Sequence, residues 1–223
     1  MRLQGHRMTE ADTDKDAKSE YVLGRSWTHR LALIFVRPLA NTPITPNHLT
    51  FVRLISGLAA CYCFATGERE LVIMGGWIWV LSAFLDRADG ELARVSGKTS
   101  SWGHKFDMFS DSAVTSLFFV AGGIGLRHSE LGDCAIALGI AGGLGVLAAE
   151  YFAEQIDKRN DDPADRAYPG FAGFDFDDVL YLFAAVAWLD WFMPFVVGAS
   201  IGAPAFALLT LYKWRKLRPR ESI

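Results

Sequence analysis

Residues 86–111 read DRADGELARVSGKTSSWGHKFDMFSD and decide how the rest of the chain is arranged. Apolar sequence flanks this stretch on both sides, at residues 71–85 and 113–126. Because residues three, four and seven positions apart share one face of a helix, its acids fall into two facing groups. These are Asp86 and Asp89 on one helix, and Asp107 and Asp111 on the next. Small and polar residues at 95–102 permit a tight reversal between the helices. The sequence therefore predicts a box of four carboxylates.

Such a box is costly near a membrane, because an aspartate at the bilayer centre costs roughly 2.5–3.5 kcal/mol on insertion scales. Like charges at close range also oppose one another unless a cation lies among them. Oxygen ligands alone suit Mg²⁺, Mn²⁺ or Ca²⁺ rather than zinc or copper. The pattern therefore predicts a divalent metal site. The simpler alternative is a set of acids at helix ends that headgroup water solvates.

The spacing D-x-x-D-G-x-x-A-R-x8-G-x-x-x-D-x-x-x-D resembles the signature of the CDP-alcohol phosphatidyltransferases, and every specified position matches. The matching segment is 26 of 223 residues. The resemblance implies an integral membrane enzyme of phospholipid synthesis that releases CMP. It also implies Mg²⁺ or Mn²⁺ as cofactor, with two ions, and a homodimer.

The resemblance assigns a role to each matching position. The metal ligands would be Asp86, Asp89, Asp107 and Asp111. Asp111 would also act as the general base that takes the proton of the attacking hydroxyl. Contacts to the CMP part of the donor would come from Gly90, Ala93 and Arg94. Arg94 also has a physical case, as a fixed cation beside a pyrophosphate, although it could instead anchor a helix end at the cytoplasmic surface.

A helix breaker precedes the first apolar segment, at residues 42–50 (TPITPNHLT). Thr45 or Asn47 can cap the following helix, with Pro46 in its first turn. This start also resembles the family, so Asn47 is either a neighbour of the nucleotide site or an ordinary capping residue.

Composition indicates one all-α, polytopic membrane domain. Hydrophobic residues make up 51% of the chain, mean hydropathy is +0.19, and the net charge of −3 includes no basic field for nucleic acid. The three cysteines lie in apolar segments, which favours buried, inert thiols. We expect a flexible tail at 1–24, an amphipathic juxtamembrane helix at 25–44, a six-helix domain at 45–216 and a short tail at 217–223. The alternative for residues 25–44 is an ordinary core helix.

Six membrane spans of about 20 residues are expected in that domain. They are placed at 48–67, 71–91, 105–126, 132–153, 178–193 and 195–213. Asp190, Pro194 and Pro204 interrupt the last two, which can also be read as one long broken segment. Glycine-rich runs in the third and fourth spans offer close-packing surfaces for a dimer or within one chain.

The basic residues predict the orientation. With six spans, all of the 22 Lys and Arg residues except Arg69 and Arg127 fall on the side that holds both termini and the aspartate box. The positive-inside rule places that side in the cytoplasm, here of a bacterial inner membrane.

The substrates are less defined. CDP-diacylglycerol is the expected donor, although a CDP-linked polar alcohol donating to a lipid hydroxyl fits the same motif. Lys158, Arg159 and Arg166 could bind a phosphorylated acceptor or could belong to a solvated loop. The G-K-x-K-T segment of bacterial phosphatidylglycerophosphate synthases is not in this sequence, which argues against glycerol 3-phosphate. The acidic start of the fifth span, at residues 174–178 (FDFDD), favours a neutral or amino alcohol. A Mg²⁺ transporter and a non-catalytic membrane scaffold are the alternatives from other classes.

Overall fold

The computed structural model describes residues 27–158 and 181–216, and every regular element in these residues is helical. The seven α-helices, in chain order, are α1 (Trp27–Val36), α2 (Pro46–Thr66), α3 (Arg69–Ser96), α4 (Ser101–Gly125), α5 (Cys134–Asp157), α6 (Leu182–Trp188) and α7 (Phe192–Lys216). Short 3-10 turns follow α1 and α4, at Arg37–Leu39 and Leu126–His128.

Five of these helices are long and apolar enough to cross a membrane: α2, α3, α4, α5 and α7. They expose large apolar side chains along their outer faces, such as Tyr62 at 72% and Leu208 at 66%. Such exposure is unfavourable in water and ordinary in lipid. The predicted polytopic all-α class is confirmed, and we treat the chain as an integral membrane protein.

The predicted count of six long spans is wrong by one within the described residues. The expected span at 178–193 is represented there by α6, which has only seven residues. The chain leaves α6 at Asp190, whose φ of 60° is a left-handed conformation that cannot continue a helix. Residues 178–180 lie outside the described residues. The other five expected spans correspond to the five long helices.

α1 packs beside α3, as a juxtamembrane helix can. Its buried residues Ala32 and Val36 contact Ala88 and Leu92 of α3. Its other face exposes large apolar side chains: Leu31, Ile34 and Phe35. That face suits a membrane interface, and its location there stays a prediction.

Aromatic rings fill the centre of the bundle, away from the aspartates. Phe64 of α2 contacts Phe118 of α4 with ring centroids 5.4 Å apart, and Phe118 contacts Phe183 of α6 at 4.3 Å. Trp79 of α3 belongs to the same cluster. This core holds the membrane helices in fixed register around the site.

Glycines bring α4, α5 and α7 into close contact. A Cβ on Gly143 would lie 2.8 Å from the carbonyl oxygen of Ser116, and one on Gly145 would lie 2.5 Å from the backbone nitrogen of Pro204. Only glycine permits such an approach. Of the two uses expected for the glycine-rich runs, these residues serve packing within one chain.

Three contacts show which helix termini lie together at each end of the bundle. At one end, Ser112 of α4 donates a 2.5 Å hydrogen bond to Glu150 of α5, and the rings of Phe152 and Trp214 lie 5.7 Å apart. At the other end, Arg69 at the start of α3 pairs with Asp190. The end of α7 therefore lies at the same end of the bundle as the aspartates.

Candidate metal and nucleotide site

The reversal expected between the two aspartate helices is present. α3 is capped by Gly97, whose φ of 67° is left-handed and whose N–H donates to the carbonyl oxygen of Ala93 at 3.1 Å. α4 begins after Ser100, whose hydroxyl accepts a 2.9 Å hydrogen bond from the N–H of Gly103. The two helices run side by side from this loop.

Three of the four aspartates meet at the reversal. Asp86, Asp89 and Asp107 each offer a carboxylate oxygen, and these three atoms lie within 4.8 Å of one another. Asp111 lies outside this group of three, one turn further along α4 than Asp107. Its side chain is the most exposed of the four, at 51%.

Asp89 is the most deeply buried acid of the group, at 3% exposure. Thr50 of α2 donates a 2.7 Å hydrogen bond to its Oδ2. A buried carboxylate needs such a partner, because burial without one costs several kcal/mol. α2 therefore takes part in the site, which the aspartate spacing does not reveal.

Arg53 of α2 is the main cation of the site, and the sequence reasoning missed it. Its Nη1 lies 2.6 Å from Oδ1 of Asp86 and 2.8 Å from Oδ1 of Asp107, and its Nη2 lies 2.7 Å from Oδ1 of Asp111. The arginine is 3% exposed. An arginine within an apolar span is itself a signal of a functional site.

The three clustered carboxylates suit a hard divalent cation. Carboxylate oxygens separated by less than 5 Å can ligate one ion at the 2.0–2.6 Å distances that Mg²⁺ and Ca²⁺ require. When all four acids are ionised, they carry three more negative charges than Arg53 neutralises. The residues present therefore fit the expected Mg²⁺ or Mn²⁺.

A cavity of about 260 Å³ opens beside the cluster. Its walls come from the start of α2, the end of α3, the connecting loop and the start of α4. They comprise Pro46, Asn47, Thr50, Asp89, Gly90, Ala93, Arg94, Lys98, Thr99, Ser100, Gly103, His104 and Asp107. All four residues that the sequence assigned to the nucleotide are among them: Asn47, Gly90, Ala93 and Arg94.

The structure shows how Asn47 is placed at the start of α2. Thr45 is the N-cap of α2 and Pro46 its first residue, so Asn47 is not the cap. Gly103 faces Asn47 so closely that a Cβ there would lie 2.6 Å from the Asn47 Oδ1 atom. Glycine at this position therefore keeps room for the Asn47 amide at the cavity wall.

Arg94 is held at the end of α3 by contacts within its own helix. Its Nε donates to the carbonyl oxygen of Gly90 at 3.2 Å, and its Nη1 lies 3.4 Å from Oε1 of the buried Glu91. Its side chain stays 43% exposed at the cavity. This arrangement presents a cation to an incoming anion.

Lys98 ties the loop between α3 and α4 to the segment before α2. Its Nζ donates to the carbonyl oxygen of Thr42 at 2.6 Å and lies within 3.4 Å of those of Ala40 and Ile44. The clamp joins the two sides of the cavity. Like His104, Lys98 was not among the residues expected at the site.

A polar network connects α1 to the aspartate helix. The Nη1 atom of Arg87 donates to Nε2 of His29 at 2.6 Å, so Nδ1 of His29 carries the proton and donates to Oε1 of Glu91 at 2.8 Å. Arg87 and Glu91 alternate along α3 with the site residues Asp86, Asp89 and Gly90. α1 thus helps to fix the rotation of α3.

The residues expected at the acceptor are only partly described. Lys158 is the cap residue that follows α5, and its Nζ lies 2.6 Å from Oε1 of Glu154. Arg159 and Arg166 lie outside the described residues. Their proposed part in acceptor binding stays a prediction.

Membrane-crossing helices, an oxygen-only carboxylate cluster and an adjoining cavity define a membrane protein with a polar site at one end of the bundle, where three carboxylates could hold a metal ion. The sequence profile of the CDP-alcohol phosphatidyltransferases matches residues 43–200, well over half of the chain. The chain belongs to this family. The matched region begins just before α2 and extends into α7, so it includes every aspartate of the site.

Individual relatives align over shorter regions. An archaetidylinositol phosphate synthase of Pyrococcus horikoshii is 38% identical over 109 residues, which are 48% of this chain and 47% of that protein. A phosphatidylinositol phosphate synthase of Cutibacterium acnes is 30% identical over 111 residues, 46% of this chain and 52% of the relative. A CDP-diacylglycerol–inositol 3-phosphatidyltransferase of Drosophila melanogaster is 30% identical over 71 residues, 32% and 30% of the two chains. The chain spans about half the length of the first two relatives that it matches.

Proposed function

We propose that this chain catalyses transfer of a substituted phosphate group from a CDP-linked donor to the hydroxyl of an acceptor alcohol, releasing CMP and forming a phospholipid. One observation carries the proposal above all. The complete family motif folds so that three of its carboxylates converge beside a cavity lined by its Gly90, Ala93 and Arg94. A solvated set of acids would not need this arrangement.

The cavity is proposed to hold the CMP part of the donor. Gly90 and Gly103 keep its walls free of side chains, and the Asn47 amide offers hydrogen-bonding groups. Arg94 would contact the pyrophosphate, because its guanidinium is a permanent cation with several donors. Lys98 would keep the loop closed over this region through its contacts with the segment before α2.

Asp86, Asp89 and Asp107 are proposed to hold Mg²⁺ or Mn²⁺, with two ions expected and Asp111 completing the ligand set. Bound ions would neutralise the phosphate oxygens and stabilise the departing CMP. The chain's own part is to orient the ligands. Thr50 fixes Asp89, and the tight reversal at Gly97 holds the two helices in register.

Asp111 is proposed to accept the proton of the attacking hydroxyl. An alcohol does not ionise near pH 7, so a carboxylate within reach must take its proton as the phosphorus–oxygen bond forms. Asp111 is the most exposed of the four acids, and it lies outside the group of three that gathers most tightly. Both properties suit a base that meets a second substrate.

CDP-diacylglycerol is the proposed donor and an inositol compound the proposed acceptor. The name of the fly relative includes both CDP-diacylglycerol and inositol, and the other two relatives are named as inositol phosphate lipid synthases. An inositol ring also fits the neutral alcohol favoured by the sequence. Inositol phosphate would offer a phosphate to the basic residues Lys158, Arg159 and Arg166, whereas free inositol would not.

The site is proposed to face the cytoplasm of a bacterial inner membrane, with the ends of the membrane domain on the same side. Lys213, Arg215 and Lys216 end α7, and Arg94 and Lys98 flank the cavity at that end of the bundle. The positive-inside rule assigns such an end to the cytoplasm, where nucleotides are available. A homodimer is also proposed from the family, and the mass of the purified protein in mild detergent tests it.

The deciding experiment supplies the purified protein with labelled CDP-diacylglycerol, Mg²⁺ and one alcohol at a time: inositol, inositol phosphate, glycerol 3-phosphate or serine. We expect a labelled lipid and CMP only with one of the inositol compounds. Lipid formation from glycerol 3-phosphate alone would overturn the acceptor proposal. If CMP is released with none of these alcohols, the donor assignment is wrong. It is also wrong if CMP is released when a CDP-linked polar alcohol and a lipid hydroxyl are supplied instead.

A further inference from the structure

Arg53 contacts the same carboxylates that are proposed to bind metal. Its Nη1 atom lies between Oδ1 of Asp86 and Oδ1 of Asp107, at 2.6 and 2.8 Å. These two acids are members of the group whose oxygens gather within 4.8 Å. Its Nη2 atom reaches Asp111 at 2.7 Å. One buried cation thus joins α2 to both aspartate helices through the carboxylates of proposed ligands.

We propose that Arg53 is a built-in competitor of the metal: its guanidinium shares ligand oxygens with the ion, so it lowers the affinity of the site for divalent cations. The inference rests on the metal site proposed above. It goes further by assigning to this arginine a role in setting when that site fills.

Electrostatics give the direction of the effect. A guanidinium within 2.8 Å of the carboxylate oxygens of two proposed ligands repels a second cation that approaches the same carboxylates, and because Arg53 is buried, water screens this repulsion only in part. Ions must therefore displace the guanidinium from at least one carboxylate or bind beside it at reduced affinity. Replacing Arg53 by an uncharged residue removes this repulsion and leaves the carboxylates without the cation that neutralises part of their charge.

The backbone around Arg53 is held in place, so the guanidinium can leave the carboxylates only by a movement of its side chain. The carbonyl oxygen of Arg53 accepts hydrogen bonds from Ser56 at 2.9 Å and from Ser82 of α3 at 3.0 Å. One turn further, a Cβ on Gly57 would lie 2.6 Å from a methyl carbon of Val114. α2 is thus held tightly against α3 and α4, while the long arginine side chain has rotatable bonds with which to move.

A purely structural ion pair makes the opposite prediction for metal binding. If Arg53 only braced the helices, its loss would loosen the cluster and weaken binding of the ion. Competition predicts tighter binding together with lower stability when a chelator is present. The two roles are therefore separated by the sign of the change in metal affinity.

The test measures Mn²⁺ binding to the purified full chain by electron paramagnetic resonance, without nucleotide, for the parent, Arg53→Met and Arg53→Lys. We expect Arg53→Met to bind Mn²⁺ about tenfold more tightly or better, and to unfold at a lower temperature in EDTA. Arg53→Lys keeps the charge and should stay near the parent. Arg69→Met is the matched control, because it removes the exposed arginine that pairs with Asp190 at the other end of the bundle.

Each outcome decides the matter. Unchanged or weaker Mn²⁺ binding by folded Arg53→Met overturns the competition while leaving the metal site intact. Absence of Mn²⁺ binding by the parent overturns the metal site and this inference together. If Arg53→Met folds only when it is prepared in Mn²⁺, the ion has replaced the guanidinium as expected. If it folds under neither condition, the ion cannot take that place and the inference is wrong.

Discussion

Thr50 Oγ1 donates a 2.7 Å hydrogen bond to Oδ2 of Asp89, the most buried acid of the cluster. The contact joins the first membrane helix to the helix that carries half of the aspartate motif. Through this contact, α2 is part of the proposed metal site and does not merely pack beside it. Because both residues are almost fully buried, losing the bond leaves a buried oxygen of Asp89 without this partner.

We predict that Thr50→Val destabilises the protein by about 1–3 kcal/mol, the usual cost of leaving a buried polar group without its partner. It should also raise the Mg²⁺ concentration needed for half-maximal turnover, because Asp89 loses the bond that orients it. Thr50→Ser keeps the hydroxyl and serves as control. Thermal unfolding in detergent and a Mg²⁺ titration measure both effects. Equal behaviour of the Val and Ser variants would show that the bond has no such role.

Gly103→Ala should weaken nucleotide binding. The new Cβ would lie 2.6 Å from Oδ1 of Asn47 and 2.9 Å from Oγ of Ser100, so the Asn47 amide must move along the cavity wall. We expect the Kd for CMP to rise about tenfold, equivalent to the loss of one ordinary hydrogen bond.

Gly198→Ala is the control for this prediction, because a Cβ on Gly198 would meet nothing within 4 Å. Calorimetric titration with CMP in detergent compares the two variants. If Gly103→Ala binds CMP as tightly as the parent, Asn47 does not contribute to the nucleotide site.

The pair of Arg69 and Asp190 should give a small, pH-dependent contribution to stability. Nε and Nη2 of Arg69 donate to the two oxygens of Asp190 at 2.8 and 3.0 Å, and these hydrogen bonds hold the pKa of Asp190 below its usual value. A lowered pKa in the folded state means that the contribution is complete above the unfolded pKa of about 4 and is lost as the pH falls through the folded value.

Asp190→Asn should therefore lower Tm slightly at pH 7, and this difference should shrink as the pH falls below the unfolded pKa of about 4. Asparagine also tolerates the left-handed backbone at this position, so the substitution tests the charge rather than the turn. Unfolding temperatures of the parent and the variant across this pH range provide the measurement. A difference in Tm that does not shrink as the pH falls below about 4 would rule out the ion pair as its cause.

Spacing along single helices predicted much of the site. Asp86, Asp89 and Asp107 meet because the i, i+3 and i+4 rule applies within each helix and Gly97 with Ser100 forms the reversal. Of the residues that line the cavity, Gly90, Ala93 and Arg94 followed from the resemblance to the family, whereas Lys98 and His104 were not expected. The fold class and the approximate bounds of five spans followed from apolar blocks of membrane length.

Contacts between distant segments could not be predicted in this way. Arg53 lies 54 and 58 residues before Asp107 and Asp111, and no local period connects them. An arginine in an apolar span indicates a functional site, but it does not indicate which residues the arginine contacts. Asp190 marked a break in the predicted fifth span, whereas its pairing with Arg69, 121 residues away, depends on how the helices pack.

Asp111→Asn and Asp89→Asn should fail in different ways. Asp111→Asn keeps an oxygen that can accept from Arg53 but cannot take a proton, so we expect turnover to fall roughly 10²–10⁴-fold with CMP binding nearly unchanged. Asp89→Asn should weaken metal binding first, and added Mg²⁺ should recover part of its activity. Turnover against Mg²⁺ concentration, with CMP binding alongside, compares the two. Rescue of Asp111→Asn but not of Asp89→Asn would reverse the proposed roles.

CMP release from CDP-diacylglycerol by the purified protein, measured with an inositol acceptor in EDTA and again after Mg²⁺ or Mn²⁺ is restored, tests the proposed chemistry most directly. Carboxylate oxygens are the proposed ligands, so activity should depend wholly on a hard divalent ion. We predict no CMP above background in EDTA and full recovery when the ion returns. Undiminished turnover in EDTA would contradict the metal-dependent mechanism.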